Sequence, residues 1–420
     1  MTSLALAPDS GYQVRSVSIP DIPNLLSLLK AEGGHAWVRG TAENQTGIVG
    51  WGTLERVEFT GAERFSRAQR WWNNWCEQTY GDSAIAFASF AFAPDPGHSV
   101  VIVPEVAIAR RDGKTIITVV GHKDQLDQLL ADALARINNF KPEQIPVESI
   151  TWLEGTESVD AWQANVEQAI QRINSGELDK VVLARDIVAQ LDIPLHVGAL
   201  LQRLNTEFPD CWTFSVDGLI GATPELLIRR DDKKVTSRVL AGTVRRSSNL
   251  NRDDALAASL LDSGKDQEEH EYAVHSVQVA LAQHCTDLTV PNSPFILQLA
   301  NVQHLATDIT GELAENVSAL VLAASLHPTA AVCGTPTERA IGAIKELEVL
   351  DRGRYSGPVG WFTDNGDGEF GIALRCAAIE NEERTQLRLY AGCGIVAGST
   401  ADTEVAESNA KFNAMRSVLV

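Results

Sequence analysis

Near its end the chain reads Ala391-Gly-Cys-Gly-Ile-Val-Ala-Gly-Ser-Thr-Ala-Asp-Thr-Glu-Val-Ala-Glu-Ser-Asn-Ala-Lys411, a strand running into a glycine loop and then a helix. Gly392, Gly394 and Gly398 let the backbone approach a ligand closely, and Ser399, Thr400 and Asp402 are residue types that cap helix starts. A helix is therefore predicted to begin near Asp402. Glu404, Glu407 and Lys411 then fall at i, i+3 and i+7, within roughly 60° of one another at about 100° per residue, and Ala414, Met415 and Val418 continue that face. Two readings fit: a solvated helix with favourable Glu-to-Lys pairs, or a site for a metal and an anion.

Four further stretches carry residues of chemical interest. Lys180 lies in the apolar strand Leu178-Asp-Lys-Val-Val-Leu-Ala-Arg185; it is either an edge lysine reaching water or a desolvated amine able to act as a base. Glu225 follows Gly-Ala-Thr-Pro at the start of a strand, where a carboxyl is either a turn carboxylate or half-buried and held protonated. Glu269 is in line with the apolar stripe Ala273, Val277 and Ala280 of a helix. An inward glutamate needs a partner, either a salt bridge or, with Glu407, a hard cation such as Mg²⁺. Arg375, at the end of the apolar run Ile372-Ala-Leu-Arg375, gains by facing an anion or carboxylate. Tyr355 precedes the partner strand, so the two meet over one ligand or pack on each other.

The elements that must position these residues can be read from periodicity. Residues 1–150 alternate in short apolar runs (His35–Arg39, Ala84–Phe92, Val100–Val103, Thr115–Val120) around helical patterns at Arg64–Trp75 and Gln125–Phe140. Two prolines in Lys141-Pro-Glu-Gln-Ile-Pro146 mark a seam with residues 151–420. Beyond it a helix capped by Ser158 ends at Gly176, and strands are predicted at Trp212–Val216, Leu226–Arg229 and Phe295–Leu299. Helices are predicted at Asp253–Leu261, Gly264–His284, Val317–Leu326 and Pro336–Glu346. The end reads as a hairpin, Gly357–Phe362 against Phe370–Ala378, turned at Asn365-Gly366, with Leu387–Cys393 beside it. Strands and helices mix without regular βαβ alternation, so the fold class is α+β with large antiparallel sheets.

The chain has 420 residues, 44% of them hydrophobic, enough for a substantial core. With 35 basic against 55 acidic residues and a net charge of −20, attraction to nucleic acid or anionic lipid is excluded, and an anionic ligand must meet a local basic pocket. Six scattered cysteines without a C-x-x-C pair read as thiols of a reducing compartment. The first ten residues contain Asp9 and lack the basic region of a secretory leader, and no apolar run is long enough to span a bilayer. A cytoplasmic protein is expected.

Taken together, Lys180-Val-Val-Leu-Ala-Arg185, Gly221-Ala-Thr-Pro-Glu225, Leu240-Ala-Gly-Thr243, Ser263-Gly-Lys-Asp-Gln-Glu-Glu-His270, His327-Pro-Thr329, Tyr355-Ser-Gly357, Leu374-Arg375, Gly392-Cys-Gly394 and Glu404-x-x-Glu-x-x-x-Lys411 resemble, in this order, the chorismate-utilising enzymes. That family includes isochorismate, salicylate, anthranilate and aminodeoxychorismate synthases. The resemblance runs from about Asp160 to Met415. It implies two antiparallel sheets flanked by helices with the active site between them, and the N-terminal strands as part of the same body, a single structural domain.

By the same resemblance Glu269 and Glu407 are Mg²⁺ ligands, with Glu404 close by and acting through water, and the metal holds the ring carboxylate of chorismate. Arg375 and Tyr355 match the positions that hold the pyruvyl carboxylate, assisted by backbone N–H groups near Gly392 and Gly394 and by Lys411. Thr243 and His304 line the pocket. Where one type of aminodeoxychorismate synthase carries a nucleophilic lysine, this chain has Ala241, so water must attack the ring. His327-Pro-Thr-Ala-Ala331 is similar to isochorismate synthases. The implied activity is isomerisation of chorismate to isochorismate, with Lys180 as base and Glu225 as acid, in a monomer or weak homodimer without a glutaminase subunit. By the resemblance the product is expected to feed either menaquinone or siderophore synthesis, and the sequence leaves the choice open. Salicylate synthase and an ammonia-using anthranilate synthase large subunit stay open as alternatives.

Overall fold

The computed structural model describes residues 11–139, 149–247, 249–299 and 302–419. The seam read at Lys141–Pro146 and the first ten residues lie outside them. Among the described residues the strands form two sheets, one of thirteen strands and one of ten, antiparallel except where Tyr12–Ile19 meets Tyr80–Gly81. Both contain strands from either side of residue 150: His35–Arg39 pairs with Trp212–Val216 in the larger sheet, and Ile85–Ser89 pairs with Pro358–Thr363 in the smaller.

The sheets pack face to face through Trp37, Phe214 and Tyr390 of the larger and Phe87, Leu226 and Val359 of the smaller. Helices close the outer faces. Ala401–Leu419 buries Phe412, Met415 and Val418 in a cluster with Ile187, Leu389 and Ala391 of the larger sheet. Gly264–Ala282 buries Ala273, Val277 and Leu281 with Val235, Val239 and Ile309 of the smaller. The predicted stripe on the first helix, Ala414, Met415 and Val418, is its buried face.

The predicted helices are present with shifted ends: Arg64–Glu77, Leu126–Asn138, Val159–Asn174, Leu250–Asp262, Gly264–Ala282, Ala319–Leu326 and Thr337–Leu347. Ser158 caps Val159–Asn174 through Ala161 N–H, as its residue type foretold. Two expectations are corrected. The run Phe370–Ala378 is not one strand: Gly368–Ile372 belongs to the smaller sheet and Cys376–Ile379 to the larger. The chain crosses between them at Arg375, which sits at φ +47° and is therefore not in a strand. Consequently Gln386–Ile395 lies beside Cys376–Ile379 and Lys180–Leu191, not beside the hairpin. Both strands are buried on two faces, and a continuous apolar pattern conceals the crossing.

The long neighbours Lys234–Arg245 and Val302–Leu313, paired along eleven positions, were legible only in fragments because Thr, Ser, Asp and Gln interrupt their apolar alternation. Their register shifts at Gly242, whose φ of +73° requires glycine, and the bulge re-aims the following side chain, Thr243.

Candidate active site

A pocket opens where the two sheets meet beneath the helix Ala401–Leu419. It is lined by Glu225, Thr243, Glu269, His304, Tyr355, Arg375, Gly392, Gly394, Glu404, Glu407 and Lys411. Every site residue the resemblance implied is among them except Lys180; Gly398, read with Gly392 and Gly394 as a close-approach glycine, is not in the lining. That lysine, first residue of the strand Lys180–Leu191, is 1% exposed and lies behind the lining, its Nζ donating to Glu269 Oε1 at 2.7 Å. The reading of Lys180 as an edge lysine reaching water is thereby corrected. Strand pairing on both sides, with Thr335 and through Val181 with Ile395, places it in the sheet interior.

Glu225 is 5% exposed, more deeply buried than the half-burial expected. Burial raises its carboxyl to about 8, against the opposing pull of Lys180, Arg375 and Lys411. At neutral pH it is largely a neutral acid facing the pocket.

A hydrogen-bonded line sets the cationic wall. His304 Nδ1 lies 3.0 Å from Thr243 Oγ1 and 3.2 Å from the Gly242 carbonyl, and its Nε2 lies 2.6 Å from Arg375 Nη2. A guanidinium only donates, so Nε2 must accept, and the ring proton belongs on Nδ1, where the Gly242 carbonyl can take it. Burial, together with the charge of Arg375, holds His304 well below its ordinary value and thus neutral. Arg375 forms no ion pair with a carboxylate among the described residues; its other contact is Cys211 Sγ at 3.9 Å. A guanidinium in a pocket with only neutral partners is suited to an anionic ligand.

Tyr355 lines the pocket with Arg375. It stacks on Tyr390, with ring centroids 5.0 Å apart and planes 8° apart, and burial raises its hydroxyl to about 12. Gly392 and Gly394 pass so close that side chains would intrude: a Cβ on Gly392 would stand 3.0 Å from the Tyr355 hydroxyl, and one on Gly394 2.6 Å from Glu269 Oε1.

The helix supplies the acidic side. Glu404 and Glu407 bring carboxylate oxygens, with Cys393 Sγ, within 4.8 Å of one another. Glu404, 3% exposed, is buried, and Glu407 pairs with Lys411 at 2.7 Å. Lys411 Nζ also donates to the Gly392 carbonyl at 2.7 Å. Burial would lower this ammonium, but the adjacent Glu407 carboxylate counters it and the group is held raised. Glu269 and Glu407, expected as one metal pair, are here each joined to a lysine, and both face the pocket. The neighbouring carboxylates of Glu404 and Glu407, with Glu269 lining the same pocket from the other helix but outside their close group, suit a hard divalent cation, which favours oxygen donors.

Sequence reasoning had not singled out Asp266, Ser356 and Tyr390 among the lining residues. Ser356, at φ +62°, carries an available signal, since it follows Tyr355 inside a quoted motif.

A family model described as chorismate binding enzyme matches residues 13–420. The chain is 43% identical over 266 residues to the isochorismate synthase DhbC of Bacillus subtilis (strain 168), covering 60% of this chain and 66% of that protein. It is 36% identical over 264 residues to the isochorismate synthase MenF of the same organism, covering 62% and 55%. The match thus spans less than two thirds of either relative's length. In structure it is similar to the menaquinone-specific isochorismate synthase MenF of Escherichia coli, with a TM-score of 0.80, 27% identity, and 98% and 95% of the two chains covered.

Proposed function

From the premise that the chain belongs to the chorismate-binding enzyme family, we propose that it isomerises chorismate to isochorismate, adding water at ring carbon C2 and releasing the C4 hydroxyl. The observation that carries this reading is a buried carboxyl on the pocket wall, Glu225, kept protonated to about pH 8, together with a buried amine, Lys180, directly behind the lining. Ala241 stands in the lining between Leu240 and Gly242, so that stretch offers no nucleophile of its own and water is left to attack.

In the proposed reaction Lys180, as free amine, takes a proton from water as the water oxygen bonds to C2. The ring double bonds shift, the C4–O bond breaks, and Glu225 gives its proton to the leaving hydroxyl. Water enters and water leaves, so the net change is isomerisation; Lys180 then holds a proton that Glu225 has lost, and one transfer restores both. Arg375, Tyr355 and Lys411, with the backbone at Gly392 and Gly394, hold the substrate's pyruvyl carboxylate, and Arg375 is aimed by His304. Thr243 supports His304 from behind.

Glu269, Glu404 and Glu407 are the residues that would hold Mg²⁺. Bound there, the cation would anchor the ring carboxylate and offset its charge. The six free cysteines fit a reducing cytoplasm. Among the described residues no helix is long and apolar enough to cross a membrane. The protein acts on chorismate without a glutaminase subunit, as a monomer or weak homodimer.

The test is direct: the protein is mixed with chorismate and Mg²⁺ and the products are read by NMR. Isochorismate is the expected outcome. Salicylate with pyruvate, or anthranilate when ammonia is added, would replace the reading with one of its alternatives.

A further inference from the structure

On one edge of the strand Lys180–Leu191, Thr335 and Gly334 cover Lys180 and Val181, and Ile150–Glu154 covers Ile187–Leu191. Among the described residues no strand covers the stretch between, yet it is buried. Its backbone groups find other partners. Val182 N–H donates to the Cys333 carbonyl at 2.8 Å. The Val182 carbonyl accepts from Arg352 Nη2 at 2.7 Å, Ala184 N–H donates to Glu348 Oε1 at 2.6 Å, and the Ala184 carbonyl accepts from Trp162 Nε1 at 3.1 Å.

Arg352 and Glu348 are bonded to each other, Nε to Oε2 at 2.8 Å, and their side chains are each 3% exposed. The guanidinium also donates to the Val332 carbonyl at 3.0 Å, and the Arg352 carbonyl accepts from Tyr355 N–H at 2.9 Å. Val182, Val332 and Tyr355 all line the pocket. One buried pair therefore fastens two segments of the pocket wall, at Val332 and Tyr355, to the strand that carries Lys180 and Val182.

Resting on the activity proposed above, we propose that Arg352 and Glu348 form a positioning clasp that holds the Val332 and Tyr355 walls in register with the base, Lys180. The clasp depends on the fork of the guanidinium, which bonds a carboxylate and two carbonyls at once. A lysine keeps the charge opposite Glu348 but cannot span all three.

The experiment compares wild type, Arg352→Lys and Glu348→Gln at low temperature, with circular dichroism giving the folded fraction. Hydrogen exchange of peptides covering residues 180–185 and 330–335 should rise at least about tenfold in both variants, while the distant strand Lys114–His122 stays within about twofold. Turnover per folded molecule should fall at least about tenfold with KM changed less than about threefold. Uniform exchange across the chain, or turnover falling only with the folded fraction, would overturn the clasp. Wild type that makes no isochorismate would refute the proposed activity instead, and the exchange measurement would still decide the clasp.

Discussion

Lys180 and Glu269, 89 residues apart, are joined by a hydrogen bond of 2.7 Å in which the lysine is buried against the pocket lining and the glutamate opens onto the pocket. One comes from a strand of the larger sheet and the other from a helix on the smaller. The residue assigned as base and a residue assigned to the metal thus share one contact.

Because of that contact, Glu269→Ala should do two things. It removes a carboxylate from the cation site and takes the hydrogen-bond acceptor from a buried lysine, a loss on the order of 1–3 kcal/mol in stability. Glu269→Gln keeps a hydrogen-bond acceptor for Lys180 and should fold normally, yet lose Mg²⁺-dependent turnover. Calorimetric titration with Mg²⁺ separates the two effects, and full activity in EDTA would defeat the metal assignment.

Removing either proton-transfer group should nearly silence the enzyme. Lys180→Ala and Glu225→Gln are expected to bind chorismate and turn it over at least about 10²-fold more slowly. Steady-state rates with a binding measurement check this; normal turnover in either variant excludes that residue from the chemistry.

Activity should decline on the alkaline side as Glu225 loses its proton through about pH 8. Stability follows the same group. Its folded value lies above its ordinary 4.5, so the folded state binds more protons between the two. The stabilisation is complete below about 4.5 and is lost as pH rises through about 8. Thermal melts of wild type and Glu225→Gln across pH 5–9 should converge in slope only if this assignment is wrong.

Gly394→Ala should fold, because the position has no need of positive φ, but its Cβ would crowd Glu269 Oε1 at 2.6 Å and Lys180 Cε at 3.0 Å. Displacing that pair is expected to lower kcat by at least about tenfold, since small misplacements of reacting groups are costly. An unaffected kcat would show that the Lys180–Glu269 geometry does not matter.

His304→Ala takes away the acceptor that aims Arg375. A bond to a charged group is worth about 1.5–3 kcal/mol, so KM for chorismate should rise on the order of 10-fold or more. If kcat alone falls, His304 acts on the chemistry and not on Arg375.

The sequence by itself determined the ingredients. The i, i+3, i+7 spacing of Glu404, Glu407 and Lys411 is a local consequence of helical geometry, and it put these three side chains on one face before any partner was known. The α+β class and most helices followed from local apolar periods. Tertiary structure alone decided what each group faces. Lys180 could have reached water from a strand edge until Thr335 and Ile395 enclosed its strand, and Glu225 became a neutral acid only when both sheets excluded water from it. The crossing at Arg375, the Lys180–Glu269 contact and the Arg352–Glu348 clasp join residues through space, and no local periodicity encodes such distances. Burial and charge pairing depend on the whole packed surroundings, which is why the same residue types stayed ambiguous until the sheets were assembled.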